Sequence, residues 1–268
     1  MNICVFGAGY VGLVQAAVLA NVGHNVLCIE TDVIKRALLQ RGEVPIFEPG
    51  LEGLVQANCK EGRLRFSGDI KDAVQHAGIQ FIAVGTPSDA QGYADLSFVN
   101  EVARGIAQET ETNQLIINKS TAPVGTADAI CELMQSVLAE RGKAHLSVDV
   151  VSNPEFLKQG AAVSDCQRPD RIIVGSGNPA SIETLQELYA PFNRNRERII
   201  VMDRRSAELT KYAANCFLAT KISFMNEMAN LSEVFGADIE MVRRGLGSDP
   251  RIGYDFIYPG CGYGGACF

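Results

Sequence analysis

The sequence predicts an α/β fold with a doubly wound, mainly parallel sheet, followed by a long connecting helix and a small helical segment. Two observations support this prediction. Through residues 1–202, short runs that are apolar throughout alternate with amphipathic stretches, a pattern typical of parallel strands covered by helices on both faces. Residues 206–235 then contain neither glycine nor proline, which favours one continuous helix.

The individual elements follow from these patterns in chain order. Apolar runs predict strands over residues 2–6, 25–30, 79–84, 114–119, 147–152, 171–175 and 198–202. Amphipathic stretches predict helices between most of them, among them 11–22, 32–41, 97–108 and 126–141. The long helix is expected to end at Gly236, a residue type that favours the C-terminal cap, and a short helix is expected over 239–246. We therefore expect one domain over 1–202 and a second unit over 203–268.

Composition narrows the function classes. Of the 268 residues, 47% are hydrophobic and 21% are charged, as in ordinary globular proteins. The net charge of −7 gives no electrostatic reason to expect nucleic acid or an acidic membrane as a partner. No apolar run approaches the roughly 20 residues of a membrane helix, and no basic flank of a signal peptide precedes the first strand. Eight irregularly spaced cysteines and three histidines predict a cytoplasmic protein with reduced thiols and without a metal site.

A glycine motif predicts a dinucleotide site. Gly7, Gly9 and Gly12 have G-x-G-x-x-G spacing directly after the first predicted strand and at the start of a helix. In that context the first glycine permits a tight turn, the second lets the backbone approach a pyrophosphate, and the third lets the helix pack closely on the strand. The predicted domain is therefore Rossmann-like, with the phosphates at the helix N-terminus.

The end of the second strand indicates which dinucleotide binds. Glu30 stands there, where an acid accepts hydrogen bonds from ribose hydroxyls and repels a 2′-phosphate. This favours NAD over NADP, although Lys35 and Arg36 nearby weaken the preference. A further candidate for the cofactor is Thr86, in a loop after the strand at 79–84, because open α/β sheets bind ligands at the carboxyl ends of their strands. An ordinary turn is the alternative interpretation of that loop.

Polar residues of other segments are candidates for chemistry. Thr121 follows the strand at 114–119, and Glu155 follows the strand at 147–152. Lys211 and Asn215 are four residues apart, so they project from one face of the long helix. Cys267 lies in a glycine-rich stretch, and it would need a nearby cation or helix N-terminus to react as a thiolate.

Nine segments along the chain carry a family resemblance. They are GAGYVGLVQAAVLANVGH, PIFEPGL, VGTPSDAQGYADLSFV, KSTAPVGT, NPEFLKQGAAVSD, RPDRIIVG, AELTKYAANCFLATKISFMNE, GSDPRIG and PGCGYGGACF. Together they resemble the UDP-glucose/GDP-mannose dehydrogenase family, and its UDP-glucose 6-dehydrogenase branch in particular. Members of that family continue into a second Rossmann-like domain. The resemblance therefore implies that this chain corresponds to the front part of such an enzyme and that the front part alone would be inactive.

The resemblance implies a four-electron oxidation of UDP-glucose to UDP-glucuronate with two NAD. By motif, Cys267 would be the nucleophile that forms a thiohemiacetal and then a thioester. Lys211 would stabilise the oxyanion, and Asn215 would add a hydrogen bond. Thr121 and Glu155 would position or activate water, with Glu155 as the candidate general base.

The same resemblance assigns ligand contacts. The cofactor contacts are Gly7, Gly9, Tyr10, Val11, Gly12, Glu30, Lys35, Thr86 and Thr121. The substrate contacts are Glu155, Phe156, Leu157, Lys211, Asn215, Arg251, Tyr258 and Gly264. Arg251 resembles a residue that reaches the substrate of a neighbouring subunit, which implies a homodimer through the long helix. One departure is Gln159, which stands where the family commonly has a second glutamate, so base chemistry would fall on Glu155 or on a segment beyond the chain.

Three alternatives remain open at this stage. The same chemistry could act on GDP-mannose or on a UDP-N-acetylhexosamine. A two-electron dehydrogenase on the same scaffold would have no use for Cys267. A non-catalytic NAD-binding module would bind NAD without forming NADH.

Overall fold

The computed structural model describes residues 1–193 and 196–264. It divides into two compact units, Met1–Leu209 and a second that begins at Thr210. The first unit contains one sheet whose strands, in chain order, are β1 (Asn2–Phe6), β2 (Asn25–Ile29), β3 (Leu64–Ser67), β4 (Ile79–Ile82), β5 (Gln114–Asn118), β6 (Val148–Ser152), β7 (Ile172–Gly175) and β8 (Ile199–Met202).

Helices connect these strands. They are α1 (Tyr10–Asn21), α2 (Val33–Gln40), α3 (Leu51–Lys60), α4 (Ile70–His76), α5 (Ser97–Glu109), α6 (Thr126–Glu140), α7 (Ala162–Gln167) and α8 (Pro179–Tyr189), with a 3₁₀ turn at Ala190–Phe192. The chain continues with α9 (Arg204–Phe235), which starts in the first unit, and α10 (Ile239–Gly247).

The sheet has the strand order β3-β2-β1-β4-β5-β6-β7-β8. The chain moves outward in one direction from β1 to β3 and then crosses to the other side of β1 with β4. The gap between β1 and β4 is therefore the switch point at which doubly wound sheets bind ligands. Neighbouring strands are parallel except β6 and β7, which pair antiparallel at Ser152 and Gly175. The predicted α/β class and mainly parallel sheet are confirmed.

Burial on both faces explains why the strands are apolar throughout. Successive side chains of a strand point to opposite faces. Ile3 and Val5 of β1 pack in the core that contains α1, and Cys4 and Phe6 pack in the core that contains α5 and α6. All four are at most 1% exposed.

One strand escaped the sequence prediction. β3 alternates buried Leu64 and Phe66 with exposed Arg65 and half-buried Ser67, because it lies at the edge of the sheet. A search for runs that are apolar throughout misses β3, because polar residues alternate with its buried apolar residues.

The second unit contains the remainder of α9, then α10 and the loop after it. The predicted cap at Gly236 is confirmed, since Gly236 has φ 68°. The Ala237 N–H donates to Ser232 O at 2.9 Å and the Gly236 N–H to Glu233 O at 3.4 Å. This is the hydrogen-bond pattern of the Schellman motif. The helix starts at Arg204, two residues before the predicted start.

Within the described ranges, the helices fall short of the combined length and apolar character that crossing a membrane requires.

Gly175 in β7 has no room for a side chain, so its substitution should destabilise the protein. A Cβ on Gly175 would lie 2.5 Å from Ala207 Cβ and 3.1 Å from Arg204 Cα, whereas a Cβ on Gly177 would meet no atom within 4 Å. We expect Gly175→Ala to lower the free energy of unfolding by about 2 kcal/mol, because the first turn of α9 must move away. Urea denaturation measures this, with Gly177→Ala as the control. Equal stability of the two variants would contradict the packing described.

Candidate functional site

The loop after β1 has the geometry of a phosphate-binding turn. Gly7 has φ 95°, a left-handed conformation that glycine adopts readily. A Cβ on Gly12 would lie 1.9 Å from Gly7 O, so α1 packs directly on the turn, while a Cβ on Gly9 would meet no atom within 4 Å. Gly9 therefore faces open space, as expected of a position that a ligand approaches.

The N-terminus of α1 continues this surface. Gly9 is the cap residue, and its position provides no side-chain hydrogen bond to the first turn, which begins with Tyr10 and Val11. Such a turn presents backbone N–H groups and the positive end of the helix dipole, the combination that binds pyrophosphate.

Glu30 lies beside this loop, just after β2, and it is paired. Lys35 Nζ is 2.7 Å from Glu30 Oε2, and the Asp32 N–H donates to Glu30 Oε1 at 3.0 Å. Lys35, a predicted cofactor contact, thus lies on the carboxylate that would bind the ribose. Arg36 Nη1 donates to Glu30 O at 2.8 Å. The Arg36 guanidinium therefore already has a hydrogen-bond acceptor within the protein.

A pocket extends from the glycine loop between β2 and β4. Its lining includes Gly7, Ala8, Gly9, Glu30, Lys35 and Gly85, and its apolar wall consists of Ile29, Ile70, Phe98 and Val102. A site with apolar walls, the carboxylates of Glu30 and Glu101, and a helix N-terminus matches the chemistry of adenine, ribose and pyrophosphate. The wall from α4 and α5 was missed by the sequence analysis, because apolar helix residues have no motif of their own.

The loops that follow β4 and β5, beside the pocket, are hydrogen-bonded to each other. Thr86 Oγ1 donates to Thr121 O at 2.7 Å, and Ser120 Oγ donates to Val84 O at 2.7 Å. Thr86 and Thr121, both expected at the cofactor, are thus neighbours because β4 and β5 are adjacent strands.

The next loop, after β6, holds Glu155 in a buried position. Glu155 is 8% exposed, and its Oε2 accepts the Leu157 N–H at 2.7 Å. Phe156 lies beneath Arg171, whose guanidinium carbon is 3.9 Å from the ring centre. A second cavity of the first unit is lined by this loop, including Glu155, Phe156, Leu157 and Lys158, together with Gln15, Lys119 and Cys166.

Asn153 orders the floor of this second cavity. Its Oδ1 accepts from Lys119 Nζ at 3.0 Å and from the Tyr189 hydroxyl at 2.5 Å. Its Nδ2 donates to Ile173 O at 2.7 Å. Burial raises the pKa of the Cys166 thiol to about 11, so this cysteine stays protonated and is a poor nucleophile at neutral pH.

Two buried glutamates, which no sequence pattern marks, hold the backbone of the site loops. Glu48, in the segment PIFEPGL, accepts the N–H groups of Gly160 and Ala162. Glu208, in the first turns of α9, accepts those of Gly125 and Ala127. Acids that bond backbone groups far away in sequence leave no local pattern, so their role could be found only from the structure.

The predicted residues of the second unit differ in exposure. Lys211 is 4% exposed, and Asn215 one turn later is half-buried. Arg251 Nη2 is 2.6 Å from Asp249 Oδ2, while 87% of the Arg251 side chain is exposed. Hydrogen bonds from Arg251 lower the pKa of the Asp249 carboxyl. Tyr258 is 55% exposed.

The terminal glycine-rich stretch is only partly described. Gly264 is the last described residue, and a Cβ there would meet no atom within 4 Å. Cys267, the predicted nucleophile, lies outside the described residues.

Two models of one protein family match this chain. Residues 1–193 match the NAD binding domain of the UDP-glucose/GDP-mannose dehydrogenase family, and residues 205–268 match the central domain of that family. The match of residues 1–193 confirms the prediction of NAD as cofactor.

Curated relatives are longer than this chain. The UDP-glucose 6-dehydrogenase of Pseudomonas aeruginosa is 54% identical over 268 residues, covering 100% of this chain and 59% of the relative. That of Rhizobium meliloti is 46% identical, with 61% of the relative covered. The chain thus spans about three fifths of the length of these relatives.

Two solved structures of nucleotide-sugar dehydrogenases superpose on this chain. A UDP-glucose dehydrogenase from Pyrobaculum islandicum superposes with a TM-score of 0.92 at 38% identity, covering 100% of this chain and 61% of that one. A ternary complex of GDP-mannose dehydrogenase from Pseudomonas aeruginosa superposes with a TM-score of 0.86 at 33% identity, covering 93% and 57%.

Alanine at two positions of the glycine motif should have different effects. Gly12→Ala places a methyl group against Gly7 O, so we expect it to lower the free energy of unfolding by about 2 kcal/mol. Gly9→Ala places its methyl group in open space, so we expect a stability cost of at most ~1 kcal/mol and at least roughly tenfold weaker NAD binding, because the pyrophosphate approaches there. Urea denaturation and titration with NAD separate the two effects. If Gly9→Ala bound NAD like the unmodified protein, the site would have to lie elsewhere.

Proposed function

Because the chain belongs to the UDP-glucose/GDP-mannose dehydrogenase family, we propose that the full-length gene product is an NAD-dependent nucleotide-sugar dehydrogenase that oxidises UDP-glucose to UDP-glucuronate. The curated relatives that are UDP-glucose 6-dehydrogenases support this substrate. The proposed boundary of the cofactor-binding domain is residue 202, where β8 ends.

The observation that carries the proposal is the common edge on which the first unit assembles its polar groups. The glycine loop, the Thr86–Thr121 pair and Glu155 each follow the carboxyl end of a parallel strand, β1, β4, β5 or β6. A dinucleotide whose pyrophosphate binds at the glycine loop would extend along the same sheet edge as two hydroxyls and one buried carboxylate. This suits oxidation of an alcohol followed by activation of water.

The proposed reaction needs a nucleophile between its two oxidations. NAD, when bound, accepts a hydride from the sugar carbon, and the alcohol loses its proton to become an aldehyde. The thiolate of Cys267 adds to the aldehyde carbon, and the resulting thiohemiacetal carries a C–H bond that a second hydride transfer can remove. Water then cleaves the thioester to a carboxylate and regenerates the thiol. In sum, one alcohol, two NAD⁺ and one water give one carboxylate, two NADH and three protons.

Side-chain roles follow from charge and burial. Lys211 is proposed to stabilise the oxyanion, since a cation that is 96% buried acts in a poorly hydrated environment where its charge is strongly felt. Asn215, one turn along α9, is proposed to add a hydrogen bond. Glu155 is proposed as the general base that activates water with Thr121. Gln159 cannot share this task, because an amide takes up no proton near neutral pH.

We also propose a homodimer through α9. Among the large apolar side chains that this helix exposes are Phe217 (65%), Phe224 (48%), Leu231 (45%) and Phe235 (79%). Their spacings of seven, seven and four residues place them on one stripe of the helix. A partner helix covering this stripe would bring Arg251 of each subunit within the assembly, and Arg251 is proposed to reach the substrate of the other subunit.

The stoichiometry of reduction tests the proposed reaction. We expect two NADH per UDP-glucose consumed by the full-length gene product, with a carboxylate product. Cys267→Ser should abolish the second oxidation, because an alcohol is a much weaker nucleophile than a thiolate at neutral pH. NADH absorbance and mass spectrometry of the sugar provide the measurement. Cys261→Ser is the matched control, since Cys261 is an exposed cysteine six residues earlier in the same glycine-rich stretch of sequence.

Each other outcome of this assay would reject part of the proposal. One NADH per sugar would indicate a two-electron alcohol dehydrogenase. Activity with GDP-mannose or a UDP-N-acetylhexosamine alone would keep the chemistry and replace the substrate. Binding of NAD without NADH formation from any of these sugars would indicate a non-catalytic module.

Charge on the apolar stripe of α9 should dissociate the dimer. We expect Phe217→Glu combined with Phe224→Glu to give monomers, because two buried charges would face each other across the interface. Light scattering after size-exclusion chromatography measures the mass. Asn230→Glu, an exposed polar position of the same helix that lies off this stripe, is the control for added charge. A double variant that keeps the mass of the unmodified protein would rule out this interface.

A further inference from the structure

Glu48 is a buried acid outside every motif to which a role has been assigned. It lies in the connection between α2 and α3 and is 5% exposed. A carboxylate can be buried only if hydrogen bonds replace the water that it loses. Its partners therefore indicate what it stabilises.

Glu48 accepts hydrogen bonds from the backbone of the loop that carries Glu155. The Ala162 N–H donates to Glu48 Oε1 at 2.6 Å, and the Gly160 N–H donates to Glu48 Oε2 at 2.9 Å. These donors lie at the start of α7, where the cap residue Ala161 has no side chain that could accept them. Glu48 thus supplies the missing acceptor from more than a hundred residues away, and it fixes the backbone that follows Glu155.

Glu48 also accepts a hydrogen bond from Tyr10, which adjoins the cofactor loop. Tyr10 is the first residue of α1, directly after Gly9. Its hydroxyl lies 2.9 Å from Glu48 Oε2 and 2.8 Å from Lys158 O, so one proton is shared between the acid and the Glu155 loop. A continuous bridge therefore runs from the glycine motif through Tyr10 and Glu48 to residues 158–162.

We propose that Glu48 is a positioning residue that couples the cofactor loop to the Glu155 loop. A dinucleotide bound at Gly9 restrains the first turn of α1, and Tyr10 and Glu48 transmit this restraint to the backbone of 155–162. The orientation of the Glu155 carboxylate then depends on cofactor occupancy. The catalytic meaning of Glu155 rests on the proposed function, whereas the bridge itself concerns only NAD and this chain.

A purely structural Glu48 would behave differently from a coupling one. As a cap for α7 alone, it would protect residues 160–162 to the same extent with and without NAD. As a coupling residue, it makes their protection depend on NAD, and the Tyr10 hydroxyl becomes necessary for that dependence.

Hydrogen exchange of the full-length gene product with saturating NAD tests the bridge. In the unmodified protein we expect NAD to slow exchange of a peptide covering 155–167 several-fold. In Tyr10→Phe, which retains the ring and removes the bridging hydroxyl, we expect NAD to leave that peptide unchanged. The coupling is overturned if NAD does not affect the peptide in the unmodified protein, or if its effect persists in Tyr10→Phe.

Kinetics provide a second test. We expect Glu48→Gln to lower kcat/KM for NAD and for UDP-glucose by roughly tenfold each, since one charged acceptor is lost. Asn178→Ala is the control, because Asn178 caps α8 after β7, a strand of opposite direction. Glu48→Gln combined with Tyr10→Phe should be no worse than the poorer single variant, because both changes break one bridge.

Additive losses in the double variant, or a loss equal to that of Asn178→Ala, would overturn the coupling. If Glu48→Gln does not fold, the exchange experiment with Tyr10→Phe decides alone. Failure of the unmodified protein to oxidise UDP-glucose would reject the proposed function, while the exchange result with NAD would still decide the bridge.

Discussion

The first unit depends on a contact made possible by a missing side chain. Gly12 lets α1 lie directly on the carbonyl of Gly7, closer than any other residue would allow. This contact sets the position of the helix N-terminus relative to β1. Because β1 lies between β2 and β4, the same contact sets the distance from the phosphate-binding turn to Glu30 on one side and to Gly85 on the other.

The loops around this turn are held by acids rather than by their own sequence. Glu48 accepts the backbone N–H groups that follow the Glu155 loop, and Glu208 accepts those that follow the Thr121 loop. Helix N-termini leave backbone donors without partners, and in both cases an acid from a distant element supplies the acceptor. The backbone donors at the start of both helices are thus satisfied by groups of the protein itself.

Patterns with a physical period could be recognised in the sequence. The central strands, α1 and the cap at Gly236 follow from burial on two faces and from backbone conformations that favour glycine. The glycine spacing predicted the cofactor loop, and in the structure a side chain at Gly7 or Gly12 would clash with neighbouring atoms.

The remainder depended on contacts between distant segments. β3 has the alternating pattern of an edge strand and was therefore missed. Lys35 was expected near the cofactor, and the structure pairs it with Glu30, which a sequence cannot show because the pairing depends on side-chain conformation. Glu48 bonds to groups 38 and 112 residues away, a separation at which local spacing carries no information.

The antiparallel pairing of β6 with β7 determines the direction in which α9 runs. In a sheet with every strand parallel, a helix after the last strand would start at the edge with the glycine loop and run away from it. Here β7 and β8 are reversed, and the first turn of α9 packs on Gly175 beside Ser152, while the Arg204 side chain pairs with Asp149 at the beginning of β6. One turn later, Glu208 accepts from Ser152 at the end of β6. The two reversed strands thus return the chain to β6, and the first turns of α9 contact both the beginning and the end of that strand.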